Sequence, residues 1–256
     1  MSHHVETIEI PMADGSAEAY VARPEGEGPH PGVLFVMDAI GLRPRIVEMV
    51  ERIAGWGYVV LAPNVFFREG RVADLAPQAD LNLPGERERF FEQAMPRVGA
   101  LTSDLAEDDL PRYLAALRGL DGVADGPVGT TGYCMGARLA VRAANLDPGV
   151  AAVGGFHGGG LATEEPDSPH RGLGSARAEL VFGHADQDGS MPPEAVAELG
   201  RALAEHGLVA SNEVYEGAAH GYSMSDTPMY DEAATERHFR ELEALFARTL
   251  TSPRRS

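Results

Sequence analysis

A single cysteine, no long apolar run and a shortage of basic side chains set the first limits on this 256-residue chain. One thiol cannot form an intrachain disulfide, so nothing in the sequence asks for an oxidising compartment. No stretch approaches the roughly 18 consecutive apolar residues of a membrane span. The N-terminus carries His3, His4 and acidic residues where a secretory signal needs a basic region and an apolar run, so the cytoplasm is the expected location. Lys plus Arg number 21 against 39 Asp plus Glu, a net charge of -18. Such a field repels phosphate backbones and anionic membrane surfaces, and neither nucleic acid nor membrane is an expected partner. Its simplest consequence is solubility. No cluster of Cys and His has ligand spacing, and the run from Gly158 to Gly160 lacks the Lys-Ser or Lys-Thr of a phosphate loop. Neither a metal nor a cofactor is expected.

What is present reads as one large α/β unit over residues 1–256, with 44% hydrophobic and 23% charged residues. Short β-rich runs recur at 5–10, 17–22, 32–37, 58–63, 127–134, 150–156, 178–183 and 211–216. Helical spacing follows at 45–56, where Ile46, Met49, Val50 and Ile53 share a face, and at 104–117 after a Thr102-Ser103 capping signal. Further helices fit 135–146, 193–206 and 231–250. Two opening strands and then alternating strand and helix predict a mostly parallel sheet of about eight strands with helices on both faces. Residues 64–100 and 158–177 interrupt the alternation and are expected at the carboxyl edge of the sheet, where crevices form in open α/β folds.

The lone cysteine, Cys134, lies in GYCMG, between Gly132 and Gly136, where a strand pattern gives way to a helix. That is the context of a nucleophile elbow, in which a tight, strained turn exposes the nucleophile and bulky neighbours two residues away would collide. With 30 glycines in the chain, both flanking glycines arise by chance about 1 time in 70 for a given cysteine. A helix N-terminus also favours thiolate over thiol. A buried cysteine acting as a small hydrophobe is the competing reading.

A thiol nucleophile needs a base, and His220 in EGAAHGYSM follows the last strand pattern at the same sheet edge. His184 follows a strand too, but its neighbours are the acids that the third position needs; His206 and His238 sit in helical patterns and read as surface residues. Asp186 and Asp188 both follow a strand, after the nucleophile and before the histidine in chain order.

Together, GYCMGARLA, GHADQDGSMPPEAV and GAAHGYSM resemble the dienelactone hydrolase family, and the similarity runs from about Val5 to Leu250. The resemblance implies an α/β-hydrolase fold, with Cys134 as nucleophile, His220 as base and Asp188, four residues before Pro192, as the orienting acid. It implies an oxyanion hole from the N–H groups of Met135 and Ala39. Asp38, in a place where the family usually has glutamate, is implied to contact the resting thiol, and Arg68 to bind a substrate carboxylate. A second family arginine is replaced by Met224, an adaptable apolar contact. His157, after another strand, is a candidate for the pocket wall or for a structural histidine. The expectation is a hydrolase for a small ester or lactone through an acyl-enzyme. A general carboxylesterase or thioesterase and a non-turnover thiol sensor are the alternatives, and the oligomeric state, monomer or homodimer, is left open.

Overall fold

The computed structural model describes residues 5–250; His3, His4 and the 251–256 tail lie outside them. Strands β3 (Gly32–Val36), β4 (Val59–Pro63) and β5 (Val128–Tyr133) are buried at every position, as parallel strands covered on both faces must be. At the sheet's edge, β1 (Val5–Met12) alternates toward solvent and pairs only with β2 (Gly15–Ala22). β6 (Val150–Phe156), β7 (Glu179–Ala185) and β8 (Ala210–Tyr215) complete one eight-stranded sheet in the order β1-β2-β4-β3-β5-β6-β7-β8. The β1–β2 and β2–β4 pairings are antiparallel and all others parallel.

Seven α-helices appear among the described residues: α1 (Pro44–Ala54), α2 (Val72–Leu75), α3 (Glu86–Ala100), α4 (Ser103–Arg118), α5 (Met135–Leu146), α6 (Pro193–Glu205) and α7 (Glu232–Thr249). Thr102 caps α4 by accepting from the Leu105 N–H, and Asp231 caps α7 from the Ala234 N–H. Adjacent residues of β6 show the two covered faces. A side chain on Gly154 would meet Leu242 of α7, whereas one on Gly155 would face Ala137 of α5. Helices on both sides of a mostly parallel sheet give the expected α/β-hydrolase architecture.

Two expectations change. Within 64–100 lies α3, a fifteen-residue helix that the mixture of proline, glycine and charge concealed. His238 is fully buried rather than on the surface, because α7 packs that side against the sheet and brings its Nε2 within 3.3 Å of the Tyr133 hydroxyl.

Candidate active site

The turn from β5 to α5 holds Cys134 at φ 53° and ψ -121°, a conformation that a non-glycine residue adopts only under constraint. Its flanking glycines provide that constraint for different reasons. A Cβ on Gly132 would lie 2.1 Å from the Gly136 carbonyl oxygen, across the turn. A Cβ on Gly136 would instead strike the ends of β3, 2.4 Å from the Met37 oxygen and 2.5 Å from that of Val36. The second glycine is therefore needed for packing against the neighbouring strand, which the local argument did not anticipate. Cys134 donates its N–H to Phe156 at 3.1 Å and keeps its side chain half-exposed.

His220 stands in the loop after β8 and Asp188 in the loop after β7. The His220 Nδ1 lies 2.5 Å from the Asp188 Oδ2, and the imidazole lines the same cavity as Cys134. The other Asp188 oxygen accepts from the Ser190 N–H at 2.8 Å and from its hydroxyl at 2.7 Å. Burial alone would lower the His220 pKa, but the bond to Asp188 and the proximity of Cys134 outweigh it and raise the value to about 10. Burial likewise opposes the Asp188 charge, yet His220 and Ser190 bring its pKa down to about 2. Asp186 takes no part in this chain: its carboxylate accepts the Gly217 N–H at 3.0 Å and braces the loop that carries His220. His184 points elsewhere, to Asn212 at 2.7 Å.

Above the elbow is a tight cavity of about 20 Å³ whose wall includes Asp38, Ala39, Ile40, Cys134, His157, His220 and Met224. The N–H groups of Ile40 and Gly41 turn back onto the Asp38 carboxylate at 3.1 and 3.3 Å. That of Ala39 has no protein acceptor among the described residues. Met135 opens α5, where the first N–H groups have no intrahelical carbonyl. His157 is buried in the wall, with its Nε2 2.7 Å from the Ser223 hydroxyl. Burial first, and then the proximity of His220, hold His157 well below the ordinary histidine range.

The dienelactone hydrolase family profile matches residues 17–250, almost the whole chain. The chain belongs to the dienelactone hydrolase family. It is 28% identical over 231 residues to the protein of Escherichia coli strain K12 named "Putative carboxymethylenebutenolidase", covering 89% of this chain and 80% of that one. It is 25% identical over 229 residues to "Carboxymethylenebutenolidase 1" of Cupriavidus pinatubonensis, covering 89% and 90%. Among solved structures, "Putative Dienelactone Hydrolase" of Klebsiella pneumoniae shares the fold with a TM-score of 0.81 at 24% identity, over 96% of this chain and 99% of that one. This protein is accordingly a hydrolase of the dienelactone hydrolase type. Among the described residues no helix is long and apolar enough to cross a membrane.

Two residues carried over from the dienelactone hydrolase resemblance are placed differently. Arg68 does not reach the cavity; Asp109 of α4 holds its guanidinium in a two-pronged pair at 2.6 and 2.9 Å, and Asp14 adds a third bond at 2.7 Å. Asp38 does line the cavity, but both its oxygens are engaged by the buried Arg43, at 2.7 and 3.0 Å, rather than by the thiol. Arg43 also reaches Asp226 beyond the histidine, at 2.5 Å.

Several members of the site, Ile40 and Met229 of the wall among them, went unrecognised in the sequence. Arg87 and Phe91 project from α3 into the wall, and Ser190 braces Asp188. The spacing of Arg87, Phe91 and Ala94 on one helical face was the available signal for α3. Ser190 carried none, because its importance rests on a turn geometry that many sequences could form.

Proposed function

We propose that this dienelactone hydrolase-type enzyme cleaves a small ester or lactone through a thioester on Cys134, with His220 as base and Asp188 as its orienting acid. The observation that carries the reading is Asp188 bonded to His220, which faces the same cavity as Cys134 at its strained elbow. His220, held by Asp188 on its Nδ1 side, is placed beside Cys134 to accept the thiol proton as the sulfur attacks. Sulfur adds to the substrate carbonyl, and the negative oxygen so formed is received by the N–H groups of Met135 and Ala39. As the intermediate collapses, the carbon–oxygen bond of the ester breaks and the departing alkoxide takes the proton from His220. Water, deprotonated by His220, then attacks the thioester; the acid leaves, and the proton held by His220 goes back to the freed sulfur.

Beside His220, the wall combines Ile40, Phe91, Met224 and Met229 with one arginine, Arg87. Such a lining favours a neutral acyl group and leaves Arg87 as the contact for a carboxylate. His157, neutral and bonded to Ser223, shapes the wall beside the base.

The chain has no lysine, so an activated ester finds no side-chain amine to modify. Intact mass spectrometry during p-nitrophenyl acetate turnover should show one acetyl adduct on the wild type and none on Cys134→Ala. The variant should keep its fold and lose at least 99% of turnover. More than a few per cent of activity in pure Cys134→Ala would move the nucleophile elsewhere. A single stoichiometric adduct without turnover would make the protein a thiol sensor.

A further inference from the structure

Helix α3 places Arg87 and Phe91 over the cavity and, further along, sends Arg97 under the turn that follows β3. Arg97 is more than nine-tenths buried, and no carboxylate pairs with it among the described residues. Its Nη2 donates to the carbonyls of Ala39 and Ile40, at 3.0 and 3.1 Å, and its Nη1 to that of Leu75 at 3.1 Å. The faces of Phe66 and Phe90 lie within 5.1 and 5.3 Å of it, while its Nε has no hydrogen-bond partner among the described residues. A cation buried this way costs stability unless something is gained by keeping it. An aliphatic side chain would fill the space without that cost.

Both carbonyls that Arg97 holds belong to the turn around Ala39. Asp38 pins the N–H groups of Ile40 and Gly41 from the other side. The turn is thus gripped by an arginine of α3 on its carbonyls and by an aspartate on its amides, and the Ala39 N–H is left unpaired. A preorganised donor of this kind is effective because it needs no rearrangement when charge develops. The guanidinium also brings positive charge close behind the turn that carries that donor.

We propose that Arg97 is a positioning residue for acyl transfer: it ties α3 to the oxyanion turn, so that the hole is fully formed while α3 covers the cavity. The inference rests on the thioester reading above. It separates two reactions of the same thiol. Acylation by an ester builds an oxyanion, whereas alkylation by iodoacetamide is a displacement at a saturated carbon and builds none.

The experiment measures both rates at Cys134 in the wild type, Arg97→Met and Arg97→Lys, with KM alongside. Removing one oxyanion donor costs about 10²-fold or more, and loosening one should cost on the order of tenfold. Acylation and kcat should therefore fall at least tenfold in Arg97→Met with KM within about threefold, and alkylation should stay within twofold. Arg97→Lys, which keeps the charge but loses the fork, should fall in between. Should Arg97→Met prove insoluble, the lysine variant decides alone, by a drop in acylation of threefold or more against unchanged alkylation. Acylation at the wild-type rate, or acylation and alkylation falling in parallel, would overturn the proposal. A wild type that is alkylated but never acylated would instead sink the thioester reading, and this inference with it.

Discussion

At His220 and Asp188 burial disfavours both charges, and the contact between them restores both. The consequences for stability run in opposite directions with pH. His220 has a folded pKa above its unfolded value of about 6.5, so its contribution is complete below that pH and fades as the pH rises toward about 10. Asp188 lies below its unfolded value of about 3.9, so its contribution is complete above that and fades as the pH falls toward about 2. Both are fully present between about pH 4 and 6.5. Thermal melts of the wild type and Asp188→Asn should therefore differ most in that window, with the gap narrowing from pH 7 to 10. A gap that widens on the alkaline side would show that the pair is not ionised as described. At this scale the sequence was legible where local chain geometry restricts the residue type, as with glycine around Cys134. It misled at Arg68, because the direction of a guanidinium depends on Asp109 and Asp14, both distant in sequence.

The elements of the sheet were legible for a related reason. Fully apolar runs such as those of β3 and β4 have only one comfortable environment, covered on both faces. In α3 the pattern failed: its exposed charges, Pro96 and few buried positions give little periodicity, and its place is set by what it covers. The β5–α5 junction has the opposite character, since its geometry leaves almost no latitude. Gly132→Ala would drive a methyl group to 2.1 Å from a backbone oxygen that cannot turn aside. Overpacking of side chains costs about 1–3 kcal/mol, and a backbone clash should reach or exceed the upper end. Urea denaturation of Gly132→Ala should show a lower midpoint by that amount, or no folded baseline. A midpoint within 0.5 M of the wild type's, at equal slope, would mean that the elbow tolerates a side chain there.

Over the whole molecule, arginine stands at every position that lysine could share with it, and many of these arginines are committed to pairs with an excess of acids. Arg87 is different: no carboxylate pairs with it among the described residues, and it lies in the cavity wall over Phe91, 4.8 Å from the ring. An anionic substrate thus meets two opposed effects, repulsion by a net charge of -18 on approach and attraction by one guanidinium on arrival. Salt separates them, because the Debye length falls from about 30 Å at 0.01 M to about 10 Å at 0.1 M and screens the distant field before the close contact. For a matched pair of esters, with and without a carboxylate on the acyl group, added salt should raise kcat/KM for the anion severalfold and leave the neutral ester within about 1.5-fold. Arg87→Met should lower kcat/KM for the anion by about tenfold, the worth of one charge-assisted bond, and leave the neutral ester within twofold. Met224→Arg should move the preference the other way by adding a second arginine to the wall. If salt slows the anionic ester, or if Arg87→Met affects both esters equally, the arginine does not read charge and the wall selects by shape alone.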